Sequence, residues 1–229
     1  MRLDKYIATS TDYSRSETKY LIKKGNVLLN SRTAYDPGQK IRQDDLVSIN
    51  GDLIYPLQPR YFMLNKAVNY VCATTDSEHP TVLDLIDEPQ RNKLHIAGRL
   101  DRDTTGLVLI TDDGQWTHRI TSPNKRCYKY YRVTLDRDLQ QGLVDIFSRG
   151  IALRGEQQAT QPARLNIVDD NVAELAIHEG KYHQVKRMFA ACNYRVTALH
   201  RFRIGDIFLD ENLTSGRYRP LTAAEVMGA

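Results

Sequence analysis

Apolar residues recur along this chain with two different periods, and the alternation between them sketches its architecture. Around residues 182–192, Val185, Met188, Phe189 and Cys192 fall at i, i+3, i+4 and i+7. That spacing predicts one face of a helix, with His183, Lys186 and Arg187 on the other. Elsewhere beyond Tyr61 the apolar positions alternate or run together, which predicts strands at residues 61–64, 107–111, 130–135, 163–168, 172–177 and 195–199. The first fifty residues read differently. Ser14 is placed to cap a second helix, Glu17 completes a capping box, and Gly25 follows the end. Short strands follow at residues 26–30 and 45–51, separated by a turn-rich stretch, and Val47 and Ile49 alternate with polar neighbours.

Two helices and a hairpin-like sheet make a small module at residues 1–51 with little core of its own. Residues 52–60, with Pro56 and Pro59, read as a linker. Residues 61–229 read as one α+β domain in which strands alternate with a few helices and nothing repeats.

Composition narrows the field. The longest unbroken apolar run has five residues, Met188 to Cys192, against the ~18 that suggest a membrane span. Charge in Met1 to Lys5 sits where a secretion signal needs an apolar segment, so the expected compartment is the cytoplasm. Three scattered cysteines fit reduced thiols, and six histidines form no zinc-ligand spacing. No glycine-rich phosphate loop is present. The expected chemistry therefore uses side chains, and no metal-binding spacing supports a metal.

Charge then directs attention to the N-terminus. The net charge is +4, and residues 1–60 hold ten basic against seven acidic side chains. Arg15, Lys19 and Lys23 recur every four residues and share a helix face, which reads equally as a solvated surface or as a phosphate-contacting one. Farther along, Arg99, Asp101, Arg102 and Asp103 crowd the entrance to the apolar strand at residues 107–111. A cluster of this kind is either a hydrogen-bonded turn or a loop carrying catalytic carboxylates.

Gly98-Arg99-Leu100-Asp101 followed by Asp103-Thr104-Thr105-Gly106 resembles the signature of pseudouridine synthases, specifically the RsuA-type branch that acts on small-subunit ribosomal RNA. Further stretches agree in order: Phe62 to Lys66, residues 97–122, Tyr131-Arg132-Val133, and Gly180 through Phe189. Residues 1–51 resemble the S4-type RNA-binding module of these enzymes, and residues 61–221 their catalytic domain. One departure stands out. The family follows Asn-Lys with Pro-x-Gly, whereas this chain reads Ala67-Val68-Asn69, and Asn69 is expected to keep the turn because asparagine tolerates a left-handed backbone.

The resemblance implies a mixed, mainly antiparallel sheet flanked by helices around a central cleft. It also implies cofactor-free isomerisation of one uridine in 16S rRNA, or in a small-subunit assembly intermediate, by a monomer. Asp101 matches the catalytic aspartate, a residue type ionised at neutral pH and suited to attack on the base, attack on the sugar, or removal of a sugar proton. Tyr131 matches the active-site tyrosine that stacks on the target base. Lys186 matches the cation paired with the aspartate, and the adjacent Arg187 is a second candidate for that pairing or for RNA contact. Arg99 is the candidate to fill the gap left by a flipped nucleotide. Arg2, Lys5, Arg15, Lys19, Lys23 and Lys24 are the expected phosphate contacts of the N-terminal module. A synthase for large-subunit RNA and a non-catalytic assembly factor are the alternatives, and the presence of Asp101, Tyr131 and Lys186 together speaks against the latter.

Overall fold

Ser14 starts the second helix as its spacing predicts. Its hydroxyl accepts the Glu17 N–H at 3.3 Å while the Glu17 carboxylate accepts the Ser14 N–H at 2.7 Å. This reciprocal cap opens α2 (Arg15–Lys23), which follows α1 (Leu3–Ser10). Four short antiparallel strands come next: β1 (Val27–Leu29), β2 (Arg32–Thr33), β3 (Val47–Ile49) and β4 (Asp52–Ile54), in the order β2-β1-β3-β4. Leu3, Ile7, Ile22, Val27, Val47 and Ile49 form their shared core.

The computed structural model describes residues 1–42, 44–55, 58–122 and 126–228, and the chain divides into two units, Met1–Pro59 and Arg60–Ala229. The expected linker is corrected at its start. Residues 52–54 are a strand, paired to β3 across a turn in which Asn50 and Gly51 both have positive φ (51° and 98°). Asn-Gly between alternating apolar residues favours such a tight hairpin, and that local signal outweighs the prolines downstream. Pro56 lies outside the described residues.

The second unit is built on a sheet that, among the described residues, has nine strands. They are β5 (Tyr61–Lys66), β6 (His95–Ala97), β7 (Thr105–Thr111), β8 (Lys129–Leu135), β9 (Arg164–Asp169), β10 (Val172–Ile177), β11 (Val196–Ile204), β12 (Ile207–Phe208) and β13 (Tyr218–Pro220). The main path runs β13-β5-β7-β11-β8-β10-β9, with β6 on β7 and β12 on β11. Every pairing is antiparallel except β7 with β11, so the sheet is mixed and mainly antiparallel. Helices α3 (Gly114–Thr121), α4 (Gly142–Arg149), α5 (Gln184–Ala191) and α6 (Ala223–Met227) accompany it. Alternation along β5 and β7 sends Phe62, Leu64, Val108 and Ile110 to a core shared with Phe147 of α4 and Met188 and Phe189 of α5. Met63, Leu107 and Leu109 go to a second core with Trp116 and Ile120 of α3.

The parallel junction of β7 and β11 is the structural pivot. Gly106 has φ +103°, and a Cβ there would lie 2.2 Å from the Arg201 carbonyl oxygen, so only glycine lets the two strands meet. That approach brings the loop preceding β7 beside Arg201. Among the described residues no helix is long and apolar enough to cross a membrane.

Candidate active site

A cleft of about 760 Å³ opens beside this junction, lined by the 98–102 loop, β8, β11 and the turn before α5. Asp101 sits on its wall with its side chain one-third exposed. Two cation-capable groups bracket its carboxylate: Lys186 Nζ lies 3.4 Å from Oδ2, and His183 Nε2 lies 3.4 Å from Oδ1. Lys186 is shared, because its nearer partner is Asp103 Oδ1 at 2.5 Å. Burial raises the pKa of Asp103, but the hydrogen bond and charge of Lys186 outweigh it and hold that carboxyl below its ordinary value.

Backbone groups around Asp101 are fastened by buried side chains. Arg201, 1% exposed, donates to the carbonyls of Leu107 (2.8 Å), Gly98 (2.9 Å) and Arg99 (3.3 Å). Lys66, fully buried, donates to the carbonyls of Ala67 (3.0 Å), Arg102 (3.2 Å) and Thr104 (2.7 Å). Burial pushes the Lys66 pKa down, against the opposing pull of Cys72, Asp103 and Asp101. Leu100 N–H is received by Cys72 Sγ at 3.3 Å. Asn69, at φ +71°, donates its N–H to the Arg102 carbonyl at 2.9 Å, so it keeps the turn expected of it without glycine. A loop that composition alone would leave mobile is therefore preorganised.

Tyr131 lines the same cleft from β8 and is 7% exposed. Its hydroxyl receives Arg201 Nη1 at 3.5 Å, and the guanidinium carbon lies 5.9 Å from its ring centre. Arg99 is exposed on the cleft lining and forms no ion pair among the described residues. Asp101, Tyr131, Lys186 and Arg99 thus meet at one cleft.

One expectation is corrected. Arg187 turns away from Asp101: its guanidinium bonds Glu156 Oε1 at 2.9 Å and the carbonyls of Tyr182 (2.9 Å) and Arg154 (2.7 Å). Consecutive helical residues point about 100° apart, so α5 cannot aim Lys186 and Arg187 at one carboxylate. Arg2 grips the Asp4 carboxylate through Nε and Nη2 at 3.0 and 2.9 Å while its side chain stays half exposed. Arg15, Lys19 and Lys23 project from α2 into solvent without an ion pair among the described residues. Lys5 is exposed on α1, and Lys24 lies 5.7 Å over the Tyr20 ring.

Sequence reasoning missed Arg201 and gave Lys66 no role. Their partners lie 70–103 and 1–38 positions away, so almost no local pattern marks them. The one available signal was a cation within a strand, as Lys66 follows the apolar run Tyr61 to Leu64.

Comparison with known proteins identifies the family. Residues 60–191 match the family described as RNA pseudouridylate synthase, and residues 1–47 match the S4 domain. The chain is 47% identical over 227 residues to ribosomal small subunit pseudouridine synthase A of Haemophilus influenzae, covering 99% of this chain and 98% of that one. It is 48% identical over 227 residues to the Escherichia coli K12 protein of the same name, again covering 99% and 98%. A solved structure described as the crystal structure of pseudouridylate synthase matches with a TM-score of 0.73 at 46% identity, over 100% of this chain and 99% of that one.

Proposed function

Given that the chain belongs to the RNA pseudouridylate synthase family and carries an S4 domain, we propose that it converts one uridine of small-subunit (16S) ribosomal RNA to pseudouridine, with Asp101 as the catalytic carboxylate. On this proposal it acts in the cytoplasm as a monomer, a reading supported by a cleft whose lining residues all belong to one unit of the chain. The reaction breaks the bond from N1 of the base to C1′ of the ribose and makes one from C5 to C1′. The C5 proton leaves and N1 gains one, so the product is an isomer and no redox partner is consumed.

The chain's own residues divide this work. Uridine inside folded RNA has to be everted to reach Asp101, at an unstacking cost of a few kcal/mol, and Arg99 on the rim fills the space it vacates. Lys186 and His183 each engage one carboxylate oxygen, which aims the group. The Tyr131 ring lies against the base, and its hydroxyl, beside the Arg201 cation, is placed to pass on the C5 proton. Arg201 and Lys66 fix the loop so that the carboxylate needs no rearrangement during reaction. Arg15, Lys19 and Lys23, with Lys5 and Lys24, supply phosphate contacts from the S4 unit.

The observation that carries this reading is a partly exposed aspartate bracketed by lysine and histidine in a cleft walled by a buried tyrosine. The test incubates the purified protein with 16S transcript, alone and with ribosomal proteins, and in parallel with large-subunit rRNA, and maps pseudouridine by carbodiimide-dependent reverse-transcription stops. One new stop is expected. Stops confined to large-subunit RNA would reassign the substrate, and no stop with either preparation would remove the proposal.

A further inference from the structure

Tyr182 lines the cleft yet is 75% exposed, in contrast to the buried Tyr131. Its ring lies nearly parallel on the His183 imidazole, with centroids 3.9 Å apart and planes inclined by 17°. His183 holds φ +46°, a left-handed conformation that costs a non-glycine residue ~1–3 kcal/mol. From that strained position its Nε2 reaches within 3.4 Å of Asp101.

The backbone on either side is pinned. Arg187 holds the Tyr182 carbonyl, Gln184 Oε1 accepts the Lys181 N–H at 2.8 Å, and Gln184 Nε2 donates to Glu179 at 2.7 Å. A rigid turn thus presents an aromatic ring to water, backed on one face, with a single imidazole between it and the carboxylate. A ring serving only to stabilise the fold would bury its area, because exposing it forgoes the hydrophobic gain.

On the reading of the site given above, everting a uridine strips its neighbour in the RNA of a stacking partner. We infer that Tyr182 is the stacking platform for that neighbouring base, and that His183 beneath it fixes the platform relative to Asp101. The ligand is any nucleobase adjacent to the target, since stacking on a phenol ring tolerates every base face. Tyr131, inside the cleft, is left to the target base itself. Tyr182 is a positioning residue for the RNA.

The test places 2-aminopurine on each side of the mapped uridine in an RNA fragment and follows its fluorescence on binding. With the wild-type protein, one of the two positions is expected to be quenched. Quenching is expected to vanish in Tyr182→Ala and to persist in Tyr182→Phe and Tyr182→Trp. Tyr182→Ala is expected to lower kcat/KM at least tenfold, chiefly through KM, and the aromatic variants to stay within about threefold of wild type. His183→Asn accepts the left-handed turn but removes the underlying ring, and is expected to weaken the quenching as well. Tyr182→Ala with wild-type quenching and wild-type kcat/KM would overturn the inference. Wild-type protein that makes no pseudouridine would instead overturn the reading of the site on which it rests, so the two failures are distinguishable.

Discussion

Replacing Arg201 by methionine keeps much of its volume and removes every donor. In the native structure the guanidinium serves three carbonyls, those of Gly98, Arg99 and Leu107, at 1% exposure. Each buried acceptor left unmet costs ~1–3 kcal/mol. Relief from burying a charge works the other way, and breaking a buried charged network on one side typically nets ~3–5 kcal/mol. At ~2–4 °C per kcal/mol for a unit of this size, the midpoint should fall by roughly 6–20 °C. Trp116 is the chain's single tryptophan and is fully buried in the second unit, so its emission during urea unfolding reports that unit. Activity should suffer as well, because two of the freed carbonyls lie two and three residues before Asp101, and misplacing a reacting group by ~1 Å costs about a hundredfold. Arg201→Lys keeps the charge without the fork and is expected to fall between, with kcat down at least tenfold. If Arg201→Met unfolded within 1 kcal/mol of wild type and turned over within about twofold of it, the claim that this cation organises the loop would be refuted.

Three further outcomes follow from the same geometry. Lys186→Met should lower kcat by about a hundredfold, whereas Asp103→Asn, which leaves the lysine to Asp101 alone, should cost less than about fivefold; single-turnover kinetics separates the two, and equal losses would contradict the shared-lysine description. Neutralising Arg15, Lys19 and Lys23 together should flatten the slope of log affinity against log salt by about two, taking ~0.7 per single-strand phosphate contact, with the loss appearing in KM; filter binding across a salt series measures it, and an unchanged slope removes α2 from the RNA surface. Hydrogen bonds from Arg219 bring the Glu225 carboxyl down to about 2 against the opposing effect of burial. A carboxyl depressed on folding adds stability above its ordinary value of 4.5 and loses it as pH falls through about 2. Allowing for solvent screening of a partly exposed pair, the contribution is ~1–2 kcal/mol; Arg219→Gln should flatten the acid limb of the urea midpoint, and an unaltered limb would count against the pair.

What the sequence makes legible is local. Ser14 and Glu17 announce α2 because a capping box is completed within four residues, and the strand at residues 172–177 is bounded in the structure as its alternation predicts. The apolar stripe of α5 is equally plain, although the helix begins at Gln184 and not at Tyr182, since the left-handed His183 interrupts it. Asp101, Tyr131 and Lys186 were found through a resemblance, and their convergence needs the parallel pairing of β7 with β11, which no period reveals. Arg201 and Lys66 stayed hidden for a related reason. A cation in a strand reads as a solvated side chain until distant carbonyls are known to surround it. Arg187 misled in the opposite direction, because adjacency in sequence places it off the face that Lys186 uses.

Rejoining the base through C5 expels the hydrogen on that carbon, so tritium release from small-subunit rRNA labelled at C5 of uridine follows the bond change itself. With Asp101→Asn in excess over RNA, the account expects retained RNA binding and no tritium released beyond the no-enzyme control, while the wild-type protein releases close to one equivalent per RNA. Release by Asp101→Asn at the wild-type rate would contradict it.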